Sequence, residues 1–189
     1  MKDSLRDTLK SQRATLSVDT QKEKSNQIID YISSSDVFIN AKRVAFYHAV
    51  RGEADPASIN SQPDLDKQFF LPVLTAQSLL FAPVDTHSKY SHNKFSIPEP
   101  ICKTEELVSA DTLDLVLVPL LGFDKCGNRL GMGGGFYDRS FAFKKKNEAP
   151  PLLMGVAYDF QMVKKITTEP WDVKLDMIAT ENGLATFKS

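Results

Sequence analysis

Four of the five residues from Gly131 to Gly135 are glycine, and the loop runs on into Phe136, Tyr137 and Asp138. Glycine lets successive backbone N–H groups face one concavity and lets a ligand come close to the backbone. Ahead of a helix, those groups also lie at the positive end of the helix dipole. A polyphosphate suits such a cradle. The loop lacks the Lys-Ser/Thr of a P-loop, and Phe136 stands where a dinucleotide fingerprint has its last glycine. A flexible surface hairpin would show the same glycine content. Asp138 falls in the first turn of the helix expected after the loop. There it either caps the helix or holds magnesium, which takes one or two carboxylates together with phosphate oxygens.

Other residue types could contribute chemistry. Glu53 lies in the turn Gly52-Glu53-Ala54-Asp55-Pro56 and is either a ligand acceptor or solvated turn chemistry. His48 ends an apolar run and is either packed or in contact with ligand. Asp172 and Asp176 are spaced i, i+4. Asp176 precedes an apolar strand and reads as a structural acceptor, and Trp171 as packing. Lys144, Lys145 and Lys146 read as a solvated helix face, the alternative being a landing site for an anionic substrate tail. No Ser-His-Asp or Cys-His set is present. Cys102 and Cys126 lack zinc-site spacing and read as free thiols of a reducing compartment.

These residues need elements to position them. Residues 2–16 place Leu5, Leu9 and Leu16 on one helical face. At about 100° per residue, Lys2, Arg6 and Arg13 rim that apolar stripe, so docking the leucines would hold the cations against the domain, the alternative being long cationic side chains that snorkel along the stripe. A second helix is expected from Asp19 or Thr20, with Thr20 and Glu23 as a capping box. Strands are expected at 43–48, 68–73, 78–84, 114–119, 152–157, 177–180 and 184–187. A polar, two-proline loop is expected at 85–100 and a helix at 136–146. The run Asp114-Leu115-Val116-Leu117-Val118-Pro119 suits a strand buried on both faces of a parallel sheet. Alternating strands and helices with a terminal hairpin give an α/β class: a mostly parallel sheet flanked by helices. In such sheets ligands sit outside the carboxyl ends of strands, which points to the loops after His48 and after Pro119.

The chain has 189 residues, 42% hydrophobic and 25% charged, with a formal net charge of −1. That is the composition of a globular protein, read as a single domain spanning 1–189. The charge balance argues against a nucleic-acid partner, and no apolar run approaches a membrane span. The N-terminus is charged and has no apolar core of a signal peptide, so the expectation is a cytoplasmic monomer.

The run from Leu117 to Asp124, followed by Gly127 to Arg139, resembles the signature of the 5-formyltetrahydrofolate cyclo-ligase family. Lys2-Asp3-Ser4-Leu5-Arg6 is similar to the family's N-terminal nucleotide motif. Phe95-Ser96-Ile97-Pro98-Glu99-Pro100 resembles its mid-chain loop, and Glu169 to Asp176 its C-terminal acidic motif. The resemblance implies a Rossmann-like fold related to the sugar-phosphate isomerase and CoA-transferase group. It implies ATP and magnesium, with 5-formyltetrahydrofolate, polyglutamylated or not, as substrate. Lys2, Arg6, Arg129, Leu130, Gly131, Met132, Gly133, Gly134, Gly135, Phe136 and Tyr137 would contact ATP. Asp138 and Asp172 would hold magnesium. His48, Glu53, Met132, Gly133, Gly134, Gly135 and Phe136 would face the folate, and Arg129 and Tyr137 would serve the transfer step. Many members carry arginine at 132 and tyrosine at 136. Met132 removes a basic contact, and Phe136 keeps a ring face without a hydroxyl. Two other readings of the same residues stay open: a sugar-phosphate isomerase without ATP, and a folate-sequestering module without turnover.

Overall fold

The computed structural model describes residues 2–61, 66–146 and 150–187. The chain opens with α1 (Lys2–Ala14), α2 (Val18–Ser33) and the short α3 (Asp36–Asn40). Serine hydroxyls start the last two: Ser17 Oγ accepts from Thr20 N–H and Ser35 Oγ from Phe38 N–H, each at 3.2 Å. Helix α2 therefore begins ahead of the expected Asp19 or Thr20, because Ser17 supplies the N-cap. Leu16 lies beyond the end of α1 and packs at the margin of the core with α2.

The strands are β1 (Arg43–Ala45), β2 (Gln68–Leu74), β3 (Leu79–Val84), β4 (Tyr90–His92), β5 (Pro98–Pro100), β6 (Leu115–Pro119), β7 (Gly122–Phe123) and β8 (Arg129–Leu130). Helix α4 (Phe136–Ser140), then β9 (Leu152–Val156), β10 (Met177–Thr180) and β11 (Gly183–Thr186) complete the chain. The main sheet has the order β11-β10-β9-β6-β1-β2-β3. Strands β2, β1, β6, β9 and β10 are parallel, and β3 and β11 pair antiparallel at the edges. Counted along the chain, the parallel strands lie in the order 2-1-3-4-5, so the winding reverses between β1 and β6. That reversal opens a crevice at the carboxyl ends of the two strands.

Strand β6 shows why the sheet is covered on both faces. Leu115 and Leu117 pack with Ile28, Ile32 and Phe38, while Val116 and Val118 pack on the other face with Phe70, Phe81 and Phe141. The two-residue side-chain period sends alternate residues to opposite layers. Each such burial contributes about 1.5–3 kcal/mol. Asp114 sets the register: its Oδ2 accepts Lys42 and Arg43 N–H, both at 2.8 Å, drawing the start of β1 beside β6.

Several expectations are corrected. Strand β1 stops at Ala45, short of His48, and the chain then turns so that the Tyr47 hydroxyl donates to Ala54 O at 2.6 Å. The 85–100 loop contains the β4–β5 hairpin, whose exposed residues and prolines conceal it in the sequence. Proline is tolerated there because an edge strand needs no outward donor. The 136–146 helix breaks after Ser140. Phe141 is fully buried against Phe81, Tyr137 and Phe143, and a 3-10 turn, Ala142–Lys145, follows. Lys144 is not a solvated lysine: its Nζ lies 3.2 Å from Asp176 Oδ2 and donates to Pro151 O. Asp176 also accepts Leu153 N–H at 2.7 Å, the structural role expected of it. Trp171, expected to pack, is 64% exposed. Cys102 and Cys126 are free. Among the described residues, no helix is long and apolar enough to cross a membrane.

The β7–β8 hairpin that leads into the glycine loop is organised by a buried carboxylate. Asp124 Oδ1 accepts Cys126 and Asn128 N–H, and Oδ2 accepts Asn128 Nδ2 and Ile166 N–H, at 2.9–3.1 Å. Burial pushes the Asp124 pKa up, but these hydrogen bonds outweigh it and hold the carboxyl below its ordinary value. Its stabilisation is therefore complete above the ordinary carboxylate pKa and is lost as pH falls through the depressed folded value. Asp124→Ala is expected to lose about 2–4 kcal/mol in urea unfolding at neutral pH, with the deficit shrinking in strong acid.

Candidate active site

The crevice between β1 and β6 gathers segments from across the chain. After β1 come His48 and the turn 50–53; after β6 come the β7–β8 hairpin and the glycine loop. Two residues of the turn are left-handed, Arg51 at φ 54° and Gly52 at φ 75°. They fold Glu53 back so that its Oε2 accepts Val50 N–H at 3.1 Å. The Glu53 side chain is 8% exposed and lies 3.7 Å from Arg13 Nη1, so it is not a solvated turn residue. Burial raises its pKa, opposed by the Val50 N–H and by Arg13 and Arg51. His48 packs edge-on against Tyr90 at 5.3 Å, and burial lowers its pKa. Its Nε2 is buried and without a hydrogen-bond partner among the described residues.

Helix α1 reaches this region, as its rim of cations suggested. Arg6 Nε donates to Gly131 O at 3.0 Å across 125 positions of sequence. Lys2 Nζ lies 3.4 Å from Asp172 Oδ2 and 3.7 Å from Glu169. Leu5 and Leu9 pack with Leu130 and Ile166 beneath them. The glycine loop is open. Met132 is exposed, and a side chain at Gly131 would meet nothing within 4 Å. Gly133 (φ 98°) and Gly135 (φ 65°) hold left-handed backbone that other residues adopt with strain. Helix α4 after the loop is only five residues long, so the expected dipole contribution is small.

Arg129, Asp138 and the acidic C-terminal motif form one knot. The Arg129 guanidinium donates to Asp138 Oδ1 at 2.7 Å and to Val173 O, while Asp138 Oδ1 also accepts Val173 N–H at 3.0 Å. Asp172 Oδ2 accepts Glu169 N–H at 2.8 Å. Both proposed metal carboxylates are thus held by the protein through one oxygen and paired with a cation. Tyr137 is half-buried and stacked on Phe141. Burial first, then the Glu53 carboxylate, raises its pKa against the pull of Arg129, so it stays a hydrogen-bond donor.

Phe136 forms the outer wall. Phe95, from the mid-chain loop, meets it edge-on at 6.2 Å, with the Arg139 guanidinium 5.1 Å and the Lys94 ammonium 5.9 Å from its ring. Arg139 also donates to Gly134 O at 2.8 Å and to Gln77 O, clamping the glycine loop to the β2–β3 turn. Nothing in the sequence by itself gives Arg139 a role beyond its position one residue after Asp138. Tyr47 and Lys94 are equally unmarked in the sequence, one inside an apolar run and the other in a polar loop.

Fold and site together define a doubly wound α/β protein whose winding reversal carries a glycine loop ringed by paired acids and bases. The 5-formyltetrahydrofolate cyclo-ligase family model matches residues 1–181. A 5-formyltetrahydrofolate cyclo-ligase of Escherichia coli K12 is 32% identical over 176 residues, covering 91% of this chain and 96% of its own. Its Haemophilus influenzae counterpart is 35% identical over 176 residues, covering 90% and 92%. The solved structure of Aquifex aeolicus 5,10-methenyltetrahydrofolate synthetase is 28% identical, with a TM-score of 0.85 over 100% of this chain and 93% of its own. The chain belongs to the 5-formyltetrahydrofolate cyclo-ligase family and is an enzyme of that class.

The two acidic residues differ in how far the fold depends on them. Asp138→Asn removes the partner of a buried guanidinium and is expected to lose about 1.5–3 kcal/mol. Asp172→Asn loosens only a part-exposed ion pair and is expected to change stability by less than about 1 kcal/mol. Thermal melts of the two variants check this ranking.

Proposed function

We propose that this chain uses ATP and magnesium to close the formyl group of 5-formyltetrahydrofolate into 5,10-methenyltetrahydrofolate, releasing ADP and phosphate. The observation that carries the reading is the docking of α1, which brings Lys2 to Asp172 and Arg6 to Gly131. One cation at the open glycine loop and a second at the acidic C-terminal motif suit a polyphosphate, whose charge they would neutralise in a site of reduced dielectric. A cavity of about 370 Å³ beside Lys2, walled by Leu5, Leu130 and Ile166 with Lys165 and Thr167 at its edge, has room for the rest of the nucleotide.

Asp138 and Asp172 would hold magnesium. Among the described residues there is no cluster of three or more candidate ligands, and magnesium needs none when phosphate oxygens and water complete its shell. Each carboxylate has one oxygen engaged by backbone N–H, which leaves the other for a metal. When bound, magnesium neutralises charge on the transferring phosphoryl group.

The formyl oxygen is part of an amide and leaves poorly until it is phosphorylated. The adjacent nitrogen then attacks, and phosphate departs as the ring closes. This needs positioning more than a nucleophilic side chain, in keeping with the lack of a Ser-His-Asp set. Glu53 accepts the pterin N–H groups, and Phe136 with Phe95 covers a ring face. His48 and residues 132–135 line the approach. Tyr137, kept protonated, donates to the reacting region, and Arg129 acts by holding Asp138. We further assign the chain to the cytoplasm, in keeping with its free thiols. We read it as one domain acting as a monomer, the first part supported by a family match running from 1 to 181.

Purified protein with 5-formyltetrahydrofolate, ATP and magnesium should develop the near-ultraviolet absorbance of methenyltetrahydrofolate, one ADP per turnover. Turnover without ATP, or binding without product, would overturn the reading. Lys2→Ala and Arg6→Ala should each raise the KM for ATP several-fold and leave that for folate nearly unchanged. An equal rise for both substrates would assign α1 to the core instead.

A further inference from the structure

Arg13 is 1% exposed, an extreme for a guanidinium. Its Nε donates to Arg51 O at 3.0 Å, while Nη1 is buried without a hydrogen-bond partner among the described residues. The carboxylate facing Nη1 is Glu53, at 3.7 Å from Oε1, which is beyond hydrogen-bonding distance. Burying a charge is unfavourable unless it is paired, so a guanidinium left partly unsatisfied calls for a reason. The geometry supplies one. Oε2 of Glu53 is occupied by Val50 N–H, whereas Oε1 receives attraction from Arg13 without a hydrogen bond that would consume its lone pair. The left-handed pair Arg51 and Gly52 brings this about, and the carbonyl that Arg13 grips belongs to the first of them.

We propose that Arg13 is a positioning residue for Glu53: from α1 it locks the 51–52 turn and sets a guanidinium opposite Oε1, holding that oxygen aimed and available to accept N–H groups of the substrate. The proposal rests on the assignment of Glu53 to the folate.

The groups facing Glu53 come from four places: Arg13 from α1, Arg51 from its own turn, Tyr47 from the segment after β1, and Tyr137 from α4. Burial keeps both tyrosines protonated, so the two arginines are the charges that oppose the upward pull of burial on Glu53. Arg13 lies on the same face of α1 as Lys2 and Arg6, two turns beyond Arg6. One helix thus serves the nucleotide side at its start and the folate side at its end.

The test is calorimetric titration of 5-formyltetrahydrofolate and, separately, of ATP into wild type, R13Q, R13K and E53Q, from mildly acidic to neutral pH. In wild type, folate affinity should fall as pH drops through the Glu53 pKa. R13Q should weaken folate about tenfold and move that fall to higher pH, with ATP affinity unchanged. R13K should keep the pH position but recover only part of the affinity, because an ammonium cannot grip Arg51 O and face Glu53 together. E53Q should abolish the pH dependence. An R13Q profile matching wild type would overturn the proposal, as would parallel loss of ATP and folate binding. Should R13Q fail to fold, E53Q decides: a pH profile still like wild type means that Glu53 is not the group Arg13 serves. A wild type that does not bind folate overturns the underlying function. A wild type that converts folate, paired with an unaltered R13Q, overturns only the role of Arg13.

Discussion

The contact on which the site depends is the docking of one basic face of α1 across the winding reversal of the sheet. Leu5 and Leu9 press the helix onto Leu130 and Ile166, and its cations then have only nearby acceptors to reach. Arg6 meets Gly131 O, Lys2 meets Asp172, and Arg13 passes beneath the Glu53 turn. The apolar contacts supply most of the free energy, while the part-exposed ion pairs contribute little to stability. What the cations add is placement. They bring three segments remote in sequence to one side of one helix, and the long, stiff span of α1 keeps their spacing constant.

The glycine loop is held from its flanks more than from within. Asp124 closes the hairpin ahead of it, and Arg139 bridges Gly134 to the β2–β3 turn behind it. Arg129 lies under both, tied to Asp138 and to the backbone at Val173. A loop with an almost bare backbone and no internal packing can keep a defined shape only if its neighbours impose it. The same knot explains why Asp138 is not a free carboxylate. Its charge offsets the cost of burying the Arg129 guanidinium, so removing either partner would strand the other.

Phe136 marks a division of labour at the mouth of the crevice. Its ring is met by Phe95 and flanked by Arg139 and Lys94. An aromatic face beside two cations presents apolar surface and positive charge together. Met132, exposed next to it, adds a polarisable thioether where a basic side chain would compete for anions. The loop therefore offers backbone and cations on the α1 side, and aromatic surface flanked by cations on the Phe95 side.

Local chemistry in the sequence determined a good deal. The continuous apolar run at 115–118 pointed to a covered central strand, because successive side chains face opposite sides and each needs an apolar layer on its own side. The leucines of α1 with basic residues beside them pointed to a docked helix that carries its cations against the domain. Asp176 ahead of a strand had to be an acceptor. Tertiary structure decided what depends on a partner far along the chain. The short α4 follows from the pocket that takes Phe141, and no local propensity in 136–146 records that pocket. The β4–β5 hairpin forms from polar and proline-containing residues because it pairs with itself at an edge, where pattern carries almost no signal. Lys144 looks like one of three equivalent lysines until Asp176 and Pro151 O are placed beside it, and Trp171 looks like core yet is left mostly exposed. Glu53, read in isolation, is either a ligand acceptor or a solvated turn residue. Only the arrival of Arg13 from 40 positions earlier, with the left-handed backbone at Arg51 and Gly52, makes it a buried carboxylate with one oxygen free. Burial and long-range charge pairing are properties of the assembled chain, and a sequence lists such partners without showing which will meet.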